Sequence, residues 1–227
     1  GSSTVIVAVI SAVAEWLNLN MTNHEAANLA YVLEREDIGL KGGKQDHYAA
    51  VFGGFNLMRF RSDGVDVNCV RVKDDTVNEL QYRSVLCYTG TTRESANIID
   101  SQMKSFNKGS NEEALDHTKR IAVDMARALE KGDVQSTGEL LDEGWRNKKM
   151  FSDMISNPLI DKLYNTAKEF GAIGGKVSGA GGGGFMYFIC EYDKKYTVSK
   201  ELAKCGARIT DFMFEPKGVR SWRYNNG

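Results

Sequence analysis

Small and apolar residues crowd the first stretch of the chain, and their spacing predicts a buried helix over Thr4–Leu17, apolar on most faces, with Ser2 or Ser3 placed to cap it. Thr22 or Asn23 can cap a second helix running to about Arg35, where Glu25 and Glu34 favour helix over strand. Gly39, Gly42 and Gly43 break the pattern, and Gln45–Val51 reads as a short helix closed by Gly53-Gly54. The period then changes. Phe55–Arg61, Val65–Val72 and Ser84–Tyr88 alternate or run apolar in the manner of strands, with a hairpin turn at Asp63-Gly64. Longer helices with polar outer faces are expected over Glu94–Phe106, Glu112–Glu130 and Gln135 to about Met154. Ser156-Asn157-Pro158 starts another, capped by Gly171 after Phe170. Lys176–Gly184 reads as a glycine loop, Phe185–Cys190 as a strand, Lys194–Lys204 as a helix and Ala207–Glu215 as a final strand. Helices and hairpins come in blocks without βαβα alternation, which predicts an α+β fold.

Composition narrows the function classes. The 227 residues can bury one large core or two small ones. Lys plus Arg number 29 against 30 Asp plus Glu, so no global field favours nucleic acid or an anionic membrane. No apolar run reaches the roughly 20 residues of a membrane span, and no basic region precedes Val5–Val13 as a signal peptide requires. Cys69, Cys87, Cys190 and Cys205 form no CxxC pair, so neither a disulfide framework nor a zinc site is expected, and a reducing cytoplasm fits best. Cys69, Cys87 and Cys190 sit in β-like runs as small buried thiols.

Three segments carry candidate chemistry. The loop Lys176-Val177-Ser178-Gly179-Ala180-Gly181-Gly182-Gly183-Gly184 frees the backbone to approach another group without a Cβ in the way. It matches GxGxxG in letters, but a dinucleotide fingerprint follows a strand and opens a helix, whereas here a helix is expected before and a strand after. Lys176-Val177 also rules out a Walker A loop. Gly1-Ser2-Ser3-Thr4 offers helix-start N–H groups and hydroxyls to a polyphosphate and its Mg²⁺, or is an ordinary cap or a tag remnant. Gly42-Gly43-Lys44-Gln45-Asp46-His47-Tyr48 puts Asp46 at a helix start, as a first-turn electrostatic partner or as a catalytic group. His47 alone reads as a polar surface or packing residue rather than a base, and His24 and His117 lie too far apart to suggest a metal cluster.

In this order the three segments resemble the GHMP kinase superfamily over nearly the whole chain. Lys176–Gly184 looks like its third motif, Gly1–Thr4 like the tail of its Gly-Leu-Gly-Ser-Ser motif, and Gly42–Asp46 like the segment bearing the catalytic aspartate. Gly43–Asn56, Tyr88–Ser95, Trp145–Lys149, Lys217-Gly218-Val219 and Trp222 are most similar to bacterial kinases of D-glycero-D-manno-heptose 7-phosphate. The resemblance implies a two-domain GHMP-kinase-like fold, with residues 1–83 the remainder of the nucleotide-binding domain and 84–227 the C-terminal α+β domain. It implies transfer of phosphate from ATP with Mg²⁺ to the anomeric hydroxyl of the heptose 7-phosphate, giving the 1,7-bisphosphate for surface-polysaccharide synthesis. A kinase of a hexose or mevalonate-type alcohol and a non-catalytic binder on the same fold are the alternatives. Asp46 would be the catalytic carboxylate, Glu34 and Ser3 the metal ligands, and Gly1, Ser2, Ser3, Thr4, Gly179, Ala180, Gly181 and Gly182 the nucleotide site. Gly43, Lys44 and Arg93 would face the sugar phosphate, although Arg93 fits a surface ion pair as well. The implied partner is a small sugar phosphate, with neither nucleic acid nor membrane, and a homodimer is left open. The family's N-terminal strands and first motif have no counterpart in this sequence, so the chain is expected to be inactive alone.

Overall fold

The computed structural model describes residues 1–91, 97–102 and 112–224. It divides into two units, Gly1–Val70 with Phe214–Gly227, and Arg71–Met213. In the first, α1 (Ser2–Trp16) buries Ser3, Val7, Ile10 and Ala14, a stripe at helical spacing. The expectation of a helix buried on most faces is corrected: Val5, Val9, Val13 and Trp16 are exposed, because only that one stripe meets the other helices of the unit. Its N-cap is Gly1 with no side-chain bond, so neither serine caps the helix and the Ser3 hydroxyl is turned elsewhere.

Thr22 caps α2 (Asn23–Tyr31) through a capping box with Glu25. A π-helical turn, Val32–Asp37, continues it. After the glycine break, α3 (Gln45–Phe52) ends at Gly53 and Gly54, both at positive φ. Strands β1 (Asn56–Phe60) and β2 (Val65–Cys69) pair antiparallel across the Asp63-Gly64 turn, with Phe60 opposite Val65. Val7, Ile10, Ala26, Ala27, Ala30, Tyr48 and Val51 form the core of this unit. The segment from Phe214 is bound into it: Gly54 N donates to Glu215 O at 2.7 Å, and the Arg223 guanidinium donates to the carbonyls of Glu15 and Trp16 at the end of α1.

In the second unit, α4 (Asp74–Arg83) leads into β3 (Ser84–Tyr88), and residues 97–102 form α5. Then come α6 (Glu112–Lys131), α7 (Val134–Lys149), α8 (Pro158–Glu169), β4 (Ala172–Val177), β5 (Phe185–Cys190), α9 (Lys195–Lys204) and β6 (Arg208–Thr210). The sheet order is β4-β5-β3-β6 with every pair antiparallel, as an α+β fold requires. Trp145, Ile160, Leu163, Phe188, Val198 and Leu202 lie in the core between sheet and helices. Asn157 caps α8 by accepting from Leu159 N and Ile160 N.

Three expectations change. Helix α4 and strand β4 were absent from the sequence reading, and the final strand is three residues long, since its partner β3 pairs only Leu86, Cys87 and Tyr88 with it. Cys69 is exposed at the end of a two-stranded hairpin that nothing in its own unit covers there, while Cys87 and Cys190 are buried and their thiols pushed up to about 11 and about 12 by burial. Part of the helix expected over Glu94–Phe106 lies outside the described residues. Among the described residues no helix is long and apolar enough to cross a membrane.

Candidate active site

The π-helical turn closes over Glu34. Ile38 N donates to Leu33 O at 3.0 Å and Leu40 N to Glu34 O at 3.1 Å, which aims the Glu34 side chain inward, and it is fully buried. Its Oε2 collects three groups. Ser3 Oγ donates to it at 2.7 Å, His47 Nε2 lies 2.6 Å away and Arg35 Nη2 3.3 Å away. Oε1 is buried and has no hydrogen-bond partner. Burial works to raise the Glu34 carboxyl, but the Ser2 and Ser3 hydroxyls, the Arg35 charge and His47 outweigh it and hold the group below the usual carboxylate range.

Arg35 also grips the turn that follows. Its Nη1 donates to Lys41 O at 3.0 Å, and Gly42, at φ +156°, lets the turn lie against the guanidinium, whose carbon a Cβ there would approach to 2.5 Å. Lys44 Nζ sits 4.7 Å from the centre of the Tyr31 ring, whose plane meets His47 edge-on at 5.9 Å. The first turn of α3 then gives its two candidate residues different surroundings. Asp46 is exposed with no polar partner among the described residues, and His47 is fully buried.

The sequence-predicted residues of this unit thus divide. Ser3 and Glu34 meet directly, and Ser3 is the serine of the pair that hydrogen-bonds to the carboxylate within ordinary range. Gly1, Ser2 and Thr4 are exposed on the open first turn of α1, and Gly43 is exposed beside Lys44. Hard oxygens from one carboxylate and one hydroxyl, with Oε1 unpartnered among the described residues, suit Mg²⁺, which is often held by one or two carboxylates plus substrate phosphates. Among the described residues no cluster of three or more His, Cys, Asp or Glu could hold a metal by itself.

In the second unit the glycine loop joins β4 to β5 as a hairpin. The dinucleotide reading fails as expected, though the segment before the loop is a strand where a helix end was expected. The loop is tied down on several sides. Gly182 N donates to Ile155 O and Gly184 N to Thr91 O, each at 2.8 Å. Asn157 Nδ2 and Gln102 Nε2 donate to the carbonyls of Gly182 and Ala180, and Lys148 to that of Gly179. A Cβ at Gly181 would lie 2.8 Å from Ile155 O, and one at Gly183 2.6 Å from Thr91 O. The N–H groups of Gly179, Ala180, Gly181 and Gly183 find no partner among the described residues, which leaves donors available to an anion. Arg93 lies outside the described residues. The sequence reading missed Arg35 as a clamp, and Gln102 and Asn157 as supports of the loop; the density of glycine was the one signal that something must press against it.

Comparison with known proteins gives the family. Residues 1–54 match the GHMP kinases N-terminal domain, and residues 125–208 match the GHMP kinases C-terminal domain. The chain is 44% identical to the D-glycero-alpha-D-manno-heptose 7-phosphate kinase of Campylobacter jejuni over 98% of its length and 66% of that protein. A crystal structure of a D-glycero-D-manno-heptose 1-phosphate kinase from Bacteroides thetaiotaomicron, 35% identical, superposes with a TM-score of 0.74 over 99% of this chain and 63% of that one. The fold is shared more widely: mevalonate kinase of L. major, 24% identical, gives a TM-score of 0.71 over 96% of this chain and 66% of that one. The chain belongs to the GHMP kinases. It spans about two thirds of the length of the heptose kinases it matches.

Proposed function

We propose that the whole protein is a cytoplasmic, ATP-dependent kinase of a heptose phosphate, transferring the γ-phosphoryl group to the anomeric hydroxyl of D-glycero-D-manno-heptose 7-phosphate. The observation that carries this reading is the pairing of Ser3 with Glu34 at 2.7 Å beside the uncapped start of α1. Open N–H groups at a helix start attract phosphate, and a carboxylate beside them repels it, unless a divalent cation joins the two. Glu34 and Ser3 would hold Mg²⁺, which when bound offsets the charge spread over the transferring group.

The other residues have simpler tasks. Asp46, exposed and unencumbered, accepts the acceptor hydroxyl's proton as its oxygen bonds to phosphorus and the bond to ADP breaks. The first turn of α1, Gly1–Thr4, supplies the donors we assign to nucleotide phosphates; the glycine loop, with N–H groups at Gly179, Ala180 and Gly181 that have no partner among the described residues and Gly182 pinned beside them, is by itself a second set of donors suited to an anion. Gly43 leaves the acceptor side open, and Lys44 and Arg93 supply positive charge for the sugar's own phosphate.

The test is ³¹P NMR of the whole protein with Mg-ATP and heptose 7-phosphate, heptose 1-phosphate, galactose and mevalonate in turn. A new anomeric phosphate resonance appearing with ADP only in the heptose 7-phosphate sample is expected. Turnover of heptose 1-phosphate instead, the acceptor in the name of the Bacteroides relative, would move the transferred group to the other end of the sugar. Nucleotide binding without any product would make the protein a binder.

A further inference from the structure

We propose that His47 is a positioning residue that, together with Arg35, occupies one oxygen of Glu34 and reserves the other for the cation. The proposal rests on the reading of Glu34 as a metal ligand. The two carboxylate oxygens are treated unequally: Oε2 faces Ser3, His47 and Arg35 at 2.7, 2.6 and 3.3 Å, and Oε1 has no hydrogen-bond partner among the described residues. A carboxylate left to share donors by chance has no reason to put three on one oxygen and strand the other out of water. A ligand carboxylate does have that reason, since outer donors fix its orientation and leave one oxygen for the ion.

Histidine suits the place because Oε2 can only accept, so Nε2 carries a proton that points at Glu34. The Tyr31 ring edge-on to the imidazole helps hold its plane. His47 also follows Asp46 directly in the first turn of α3, where successive side chains diverge by about a quarter-turn of the helix. Anchoring His47 inward on Glu34 therefore sets the bearing of Asp46 outward. One hydrogen bond would align both the cation ligand and the proton acceptor.

Mn²⁺ binding to the whole protein beside a non-hydrolysable ATP analogue, followed by electron paramagnetic resonance, tests this. His47→Leu should weaken Mn²⁺ binding about 10- to 100-fold, with the analogue's metal-free affinity unchanged. His47→Gln, which keeps an N–H donor, should recover most of the loss. Mn²⁺ affinity in folded His47→Leu within about twofold of wild type overturns the proposal while leaving the kinase reading intact. A wild-type protein that binds no Mn²⁺ overturns both the metal reading of Glu34 and this inference. Should His47→Leu fail to fold, ¹⁵N NMR of the wild-type imidazole decides: the Nε2–H tautomer is expected, and the Nδ1–H tautomer overturns the proposal.

Discussion

The two parts of the molecule that bear candidate chemistry are built from opposite materials. Around Glu34 everything depends on side chains: a buried carboxylate, a hydroxyl, an imidazole and a guanidinium converge on one oxygen. In the loop from Ser178 to Gly184 side chains are nearly absent, and the shape is set by carbonyls and amides pressed against Ile155, Thr91 and Asn157. The first arrangement tolerates backbone adjustment but not a change of functional group. The second tolerates no added atom at Gly181 or Gly183. A single family signature therefore joins a charge-defined site and a volume-defined one, and the two should fail differently when altered.

Asp46→Asn gives the largest expected effect and separates chemistry from folding most cleanly. The side chain is exposed and unpartnered, so the melting temperature should stay within a degree or two while turnover in the whole protein falls about 10²-fold or more. An unchanged rate removes Asp46 from the mechanism. Gly183→Ala should do the reverse. Its Cβ would meet Thr91 O at 2.6 Å on a backbone at φ +157°, so urea denaturation should show a loss of about 1–3 kcal/mol. A stability equal to wild type would mean the loop is free to move and its contacts hold nothing.

The smallest effect is a pH dependence. Glu34 is held below its ordinary value, so the charged form gains stability on folding, a gain present above the unfolded value of about 4.5 and lost as pH falls through the depressed one. The urea midpoint of wild type should therefore drop below pH 4.5 more steeply than that of Glu34→Gln, with no difference in slope between pH 6 and 8. Parallel curves would show that the cluster does not favour the carboxylate.

Much of the fold was legible because local signals agreed with it. The cap at Thr22 or Asn23, which the structure gives to Thr22, the Asp63-Gly64 turn, the Asn157-Pro158 start and the Gly171 stop each act within a few residues of themselves. Strand β4 was hidden because Gly174 and Gly175 depress strand propensity, and the reason for Gly174 is remote: a Cβ there would fall 2.0 Å from Gly138 O on α7. Helix α4 was missed because Asp74, Asp75 and Lys73 read as loop, while its buried Thr76, Leu80 and Arg83 are too sparse to mark a face. At the site, residue types were readable but their meetings were not. Ser3 and Glu34 are thirty-one positions apart, and the π-helical turn that aims Glu34 inward has no sequence signature of its own. His47 reads from the sequence as a polar surface or packing residue; its full burial rules out the first, and the partner it packs on is the carboxylate.

The segment from Phe214 has a consequence for the order in which the molecule can be made. It docks on Gly54 and on the last carbonyls of α1, yet a ribosome reaches it only after the whole of Arg71–Met213 has been synthesised. The unit holding Glu34 and Asp46 is thus begun before Arg71–Met213 and completed after it. A nascent chain stalled anywhere before Phe214 would carry the carboxylate cluster with its supporting strap still unmade.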